Sequence, residues 1–200
     1  MSPTVFSETT PPPRTQLRVH PERETTEDAA GILAAGYVAH VGFVVDGQPY
    51  VIPMTYQFDP AEPTRLYIHG AHHSRLMAHL ATGAPVCATV TLVDGLVYSR
   101  TALYHSVNYR SVVCFARSTA QPGAAEQEQV LERMIARYFP GRTPGRDYEP
   151  APAAHLEATA FVALEIEEWS AKARRGGPKG PRDADPIAWG TAGVVAFSPL

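Results

Sequence analysis

Between Tyr37 and Phe58 apolar residues alternate with polar or small ones on either side of an Asp46-Gly47 pair, the period of a half-buried strand. Asp-Gly tolerates positive φ at both central positions of a two-residue loop. Tyr37–Val45 and Gln48–Phe58 are therefore predicted to form an antiparallel hairpin. In its second strand Tyr50, Ile52, Met54 and Tyr56 share one face, and Val51, Pro53, Thr55 and Gln57 the other. Pro53 cannot donate to a ladder, so one side of that strand is expected to be an edge or to face a ligand. Arg65–His69, Pro85–Val93, Tyr109–Ser118 and Phe161–Trp169 are further strand-like runs.

Helical signals fall between these runs. Thr25-Thr26-Glu27-Asp28 opens a helix with acids in its first turn, and Gly36 closes it. Ser74–Leu80 makes two turns, with Ser74 as N-cap and Gly83 as terminator. From Gly123 to Phe139 apolar residues recur at Val130, Leu131, Met134, Ile135, Tyr138 and Phe139, a stripe that predicts a core-facing helix. A short helix is expected around Ala153–Ala158. Mostly short strand connections with helices inserted at three places predict a mostly β fold, an antiparallel barrel with peripheral helices, rather than a doubly wound sheet.

Two hundred residues suit one domain. Residues 1–16, polar and Pro-rich, read as a disordered arm. Residues 17–170 read as the domain, and 171–200 as a basic Gly/Pro-rich tail able to fold over a binding groove, with Trp189 as a candidate lid. The formal net charge is −3 and no Lys/Arg cluster covers a face, so no nucleic-acid partner is expected. No apolar run is long enough to cross a bilayer and no secretion signal is visible, so a cytoplasmic location is expected. Cys87 and Cys114 sit in apolar strand-like runs and read as buried, reduced thiols.

The stretch from Asp46 to Leu80 carries the chemistry. A strand end delivers the chain to the helix at Ser74, with Arg75 directly after the cap. Free N–H groups and a guanidinium converge there, the outline of a phosphate site. The bland alternative is an ordinary cap beside a solvated arginine. His69, His72, His73 and His79 invite a metal reading, but Gly70 breaks the helix that joint chelation by His69 and His73 requires, so no metal site is assigned. A Rossmann glycine pattern and a nucleophile elbow are both absent from the sequence.

The ordered set DGQPYVIPMTYQFD, LYIHGAHHSRLMAHL, PVCATV, NYRSVVCFARS and EEWSAKAR resembles the FMN-binding split-barrel family, the fold of pyridoxamine 5′-phosphate oxidase. Within that family the likeness leans to the nitroimidazole-resistance reductases and uncharacterised flavoproteins. The resemblance implies an antiparallel, Greek-key-like split barrel and a homodimer holding FMN in a groove at its interface. It implies that the flavin lies along Val51, Ile52, Pro53, Met54, Thr55 and Tyr56, beside Ile68 and His69, with its phosphate at Ser74 and Arg75. Tyr109, Arg110 and Ser111 match a segment that reaches the same cofactor, and His69 matches a histidine linked to reduction, the catalytic candidate. The implied activity is flavin-dependent reduction of a small nitro, quinone or carbonyl compound, with NAD(P)H or a partner reductase as electron source. The alternative is a flavin-, deazaflavin- or haem-binding module on the same fold, with a histidine of the 69–79 loop serving the haem. The ending AWGTAGVVAFSPL lacks the Arg and His that grip pyridoxamine phosphate, so that oxidation is not expected. The family's tandem basic pair is reduced to Ser74-Arg75, which makes Arg110 the expected second cation.

Overall fold

The computed structural model describes residues 13–198, and the fold is built from seven strands and four α-helices. Strands β1 (Val38–Val45) and β2 (Gln48–Phe58) form the predicted hairpin, paired from Val38↔Thr55 to Val45↔Gln48. Asp46 and Gly47 take φ of 50° and 78° in its two-residue loop. Then come β3 (Arg65–Ala71), β4 (Pro85–Tyr98), β5 (Ser106–Ala120), β6 (Thr159–Arg174) and β7 (Gly193–Ala196). All strand pairs are antiparallel, in the order β1-β2-β3-β6-β5-β4-β7. A further β1–β4 pairing at His40↔Thr89 to Gly42↔Cys87 closes the sheet into a barrel. Spatially β4-β1-β2-β3 is a Greek key.

The barrel interior is a single cluster that includes Val41, Tyr56, Phe58, Leu66, Ile68 and Leu164, joined by Ile32 and Leu33 of helix α1 (Ala29–Ala35). Gly36 ends α1 in an extended conformation, not a left-handed one. Its missing side chain serves close packing instead: a Cβ there would lie 2.3 Å from Val90 Cγ1 and 2.8 Å from the Tyr56 hydroxyl. Helix α2 (Arg75–Leu80) buries Leu76, Met77 and Leu80 against the barrel. Helix α3 (Ala124–Tyr138) lies on the outer face, where Val130 and Met134 pack on Phe161. A short α4 (Ala153–Glu157) precedes β6.

Three strands run further than their hydrophobic runs suggest. β4 reaches Tyr98, β5 begins at Ser106, and β6 continues through Arg174. The last extension takes in residues 171–174, which the sequence reads as the start of a tail. Ala171 and Ala173 are buried because β6 pairs with β5 there and Thr25 N–H donates to Ala171 O (3.0 Å). The rest of the tail is pinned by Asp183, which accepts from Arg100 N–H (2.7 Å), Gly180 N–H (2.5 Å) and the Ser99 hydroxyl. It ends in β7, paired with Gly95–Tyr98 of β4. Of the expected N-terminal arm, residues 1–12 lie outside the described residues. Arg14 is held by Glu167 and Glu168 over the Phe115 ring. Among the described residues no helix is long and apolar enough to cross a membrane. Cys114 is fully buried and Cys87 half-buried, both unbridged, and burial pushes the Cys114 thiol up to about 12.

Candidate functional site

The β2 strand is paired along one side only for most of its length. Gln48–Thr55 are laddered to β1, whereas the pairing to β3 comprises Tyr56, Gln57 and Phe58 alone. Beyond the Tyr56↔Ile68 pair the two strands part, leaving a fork whose β2 edge carries no strand partner. Pro49 and Pro53 stand in this half-free segment, where a missing donor is tolerated. Side chains alternate as predicted: Tyr50, Ile52 and Met54 are half-buried, while Val51, Pro53 and Thr55 face outwards.

The other arm of the fork runs from Ile68 to Arg75. Gly70 keeps the strand end slim, since a Cβ there would meet Met77 Cε at 3.1 Å and Met54 Cε at 3.6 Å. Ser74 caps α2 as predicted, its Oγ accepting from Met77 N–H at 3.2 Å. Arg75 is exposed and stacks over the Tyr50 ring at 4.3 Å; no carboxylate pairs with it among the described residues. From Tyr50 to Thr55 the β2 edge extends roughly 17 Å, at about 3.3 Å per residue. The fork is thus an elongated groove with a free cation at one end.

At the other end lies an apolar cavity of about 430 Å³. Thr55 and His69 reach it from the fork, and Leu131, Ile135, Tyr138 and Phe139 from α3. These helix residues belong to the predicted stripe, which is wider than the barrel face it covers, so its margin lines a cavity. The His69 ring stacks on Phe161 with centroids 5.3 Å apart, and its buried Nδ1 has no hydrogen-bond partner. Burial lowers its proton affinity, so the imidazole is neutral near pH 7.

A polar clamp that the sequence reading missed fixes the inner end of the fork. Tyr56 N–H donates to Tyr138 Oη (3.0 Å), whose hydroxyl donates to Tyr56 O (2.6 Å). Arg137 donates to Ala34 O (3.2 Å), Leu33 O (2.9 Å), Tyr56 O (2.9 Å) and Gly36 O, and stacks on Tyr56. Only its place in the last turn of a long amphipathic helix hinted at such a role.

Tyr109, Arg110 and Ser111 do not join this groove within one chain. Arg110 pairs with Leu92 of β4, whereas Tyr50 lies opposite Phe43, next to the Gly42↔Cys87 pair. Cys87 and Leu92 are five residues apart, roughly 17 Å along the strand. Arg110 is also neutralised: a β-bulge turns Asp94 toward it, and the pair is bidentate with a shortest contact of 2.6 Å. The guanidinium holds the Asp94 carboxyl below the usual carboxylate range. Within one chain, the register and this bulge keep Arg110 away from the Ser74–Arg75 end of the groove. Nor do the loop histidines converge. His72 Nε2–H donates to Glu157 O (3.1 Å), and His79 Nε2–H to Pro85 O (3.4 Å) while its ring packs on Phe43. Trp189 is 92% exposed.

A family model described as pyridoxamine 5′-phosphate oxidase matches residues 25–173. Comparison with curated protein sequences finds no match. Among solved structures, the flavocytochrome Anf3 from Azotobacter vinelandii is similar at 31% identity and a TM-score of 0.79, over 93% of this chain and 85% of that one. The FAD and haem binding protein from Mycobacterium smegmatis is similar at 31% identity and a TM-score of 0.75, over 89% of this chain and 88% of that one. A protein from Bacteroides thetaiotaomicron linked to 5-nitroimidazole antibiotic resistance shares the fold at 19% identity and a TM-score of 0.60, over 74% and 84% of the two chains.

Proposed function

The chain belongs to the pyridoxamine 5′-phosphate oxidase family, and on that premise we propose that it is a flavin-binding redox protein whose cofactor lies in the β2–β3 fork. The reading rests above all on the fork itself, where a free strand edge joins an unpaired arginine to an apolar cavity. Likeness to two proteins named for a flavin, each at 31% identity over most of this chain, supports it. An orphaned buried imidazole nitrogen beside a partnerless strand edge also suits a planar heterocycle with hydrogen-bonding edges. FMN and FAD both present a phosphate to Arg75 and the Ser74 cap, and the mass of the released nucleotide distinguishes them.

Bound flavin would supply electron or hydride transfer to a small nitro, quinone or carbonyl acceptor, with NAD(P)H or a partner reductase as the source. The chain's own residues have simpler tasks. Arg75 holds the phosphate through charge-assisted bonds. Backbone groups of Pro53, Met54 and Thr55 meet the heterocycle edge, and the α3 side chains exclude water from its far end. His69, neutral through burial, would offer a ring nitrogen to the flavin or the acceptor rather than deliver a proton. A homodimer completes the groove. Val44 and Val51 are 56% and 63% exposed on the paired strands β1 and β2, apolar positions that a second copy would cover. That copy would bring its own Tyr109–Ser111 segment toward the fork.

The test is an absorption spectrum of the purified protein, followed by heat release and mass analysis of the chromophore. Stoichiometric flavin is expected. Arg75→Ala loses a charge-assisted interaction and should raise the flavin Kd about 10- to 100-fold. Unchanged affinity in that variant would move the phosphate elsewhere.

A second reading adds haem to the flavin. It is favoured because both relatives at 31% identity are named for two cofactors, a flavocytochrome and an FAD and haem binding protein.

A further inference from the structure

Arg14, Arg75 and Arg137 each lie over an aromatic ring, and they differ in what their N–H edges meet. Arg14, over Phe115, engages Glu167 and Glu168. Arg137, over Tyr56, engages four backbone carbonyls. Arg75, with its guanidinium carbon 4.3 Å from the Tyr50 centroid, donates to no protein acceptor among the described residues. A guanidinium stacked on a ring uses its face, while its five N–H donors lie in its plane and stay clear of the ring. Stacking therefore fixes Arg75 and leaves free the donors that an anion needs.

Tyr50 is itself held. It lies opposite Phe43 in the β1–β2 register, and the two rings stack with centroids 5.5 Å and planes 25° apart. Phe43 is buried in the barrel core, and its ring meets the His79 imidazole with centroids 4.9 Å apart. Arg75 and His79 stand four positions apart on α2 and so share one face of the helix. That face rests on the cross-strand aromatic pair, Arg75 on Tyr50 and His79 on Phe43. His79 is further tied through Nε2 to Pro85 O at 3.4 Å.

The arrangement matters for affinity. A solvated arginine samples many rotamers, and closing it on a phosphate costs that freedom. The stack on Tyr50 removes part of the freedom before a ligand arrives, which strengthens binding without adding a contact to the ligand. Arg75 needs this the more because, within one chain, Arg110 stays away from its end of the groove.

We propose that Tyr50 is a positioning residue for the flavin phosphate, holding Arg75 ready and thereby setting the preference for a phosphorylated flavin over an unphosphorylated one. The proposal rests on the flavin reading above and adds to it a residue that acts through Arg75.

The test titrates FMN and riboflavin, which differ only by the phosphate, into the full chain stripped of its flavin, with flavin fluorescence as the readout. The wild type should prefer FMN. Tyr50→Leu should narrow that preference about 3- to 10-fold while riboflavin binds as before, and Tyr50→Phe, which keeps the ring, should retain it. Tyr50→Leu added to Arg75→Ala should narrow the preference no further than Arg75→Ala alone. Circular dichroism and unaltered riboflavin affinity show that the leucine variant is folded. FMN and riboflavin weakened alike in Tyr50→Leu, or an undiminished FMN preference there, overturns the proposal and leaves Arg75 as the phosphate residue. Equal losses in Tyr50→Phe and Tyr50→Leu would assign the effect to the hydroxyl and overturn the stacking argument. A full FMN preference in Arg75→Ala, or a wild type that binds neither flavin, defeats the flavin reading at this site and the present inference with it.

Discussion

Replacing Arg137 with methionine keeps the aliphatic stem and deletes the fork of donors. Four of the five guanidinium N–H groups are used, on Leu33 O, Ala34 O, Gly36 O and Tyr56 O. Leu33 O and Tyr56 O each keep a tyrosine hydroxyl as partner, at 2.6 Å in both cases. Ala34 O and Gly36 O lose the cation that caps them at the C-terminal end of α1. Two part-buried carbonyls left short cost about 1–3 kcal/mol each. The lost cation at a helix C-terminus adds about 0.3–1 kcal/mol. Allowing for water reaching the vacated edge and for non-additivity, the expected loss is about 3 kcal/mol. Urea unfolding should show a lower midpoint at unchanged slope, and Tm should fall by about 6–12 °C for a chain of this size. Arg137→Lys restores a point charge but not the planar fork, so it should recover about 1 kcal/mol at most. A loss below about 1 kcal/mol in the methionine variant, or full recovery with lysine, would refute the view that this guanidinium ties α1, β2 and α3 together.

Ser74→Ala removes the hydroxyl that caps α2 and should cost about 1 kcal/mol in chemical denaturation; an unchanged midpoint would mean the cap is idle. Gly95→Ala places a Cβ 2.5 Å from Val195 O, so β7 should leave β4 and the segment after Gly190 should become protease-sensitive while the barrel keeps its Tm. Resistance equal to wild type would sink that expectation. His69 binds its proton less tightly when folded than the ordinary imidazole near 6.5. Its contribution is therefore intact above that pH and is lost as pH falls below it. Tm measured at pH 7.5 and 5.5 should drop less in His69→Asn than in wild type, and equal drops would contradict the burial argument.

What could be read in the sequence was whatever neighbours in the chain decide. Asp46-Gly47 specifies its own turn and Ser74 its own cap, and the alternation from Tyr50 to Tyr56 reports which face is inward. The α3 stripe was visible too, but not that its Leu131–Ile135 margin would line a cavity. Features set by register stayed hidden. Residues 170–174 look like a basic tail because Lys172 and Arg174 interrupt the apolar run, yet pairing with β5 buries the alanines between them. Arg110 looked like a spare cation because Asp94 stands 16 positions away and meets it only through a bulge in the neighbouring strand. Arg137 acts through acceptors that only the folded chain assembles. Segments bearing the family resemblance were legible, whereas the partners of their charged residues were not.

The place of β6 in the sheet bears on how the chain is made. It is the last long strand to leave the ribosome, and it lies between β3 and β5. Until Thr159–Arg174 has emerged, both of those strands present open edges, β3 over seven residues and β5 over fifteen. Synthesis at about 5–20 residues per second leaves the β3 edge waiting several seconds. Open edges of that length invite pairing with other nascent chains. Fragments stopping short of residue 159 are thus expected to aggregate rather than fold, and ribosome-bound chains of that length should be clients of holding chaperones.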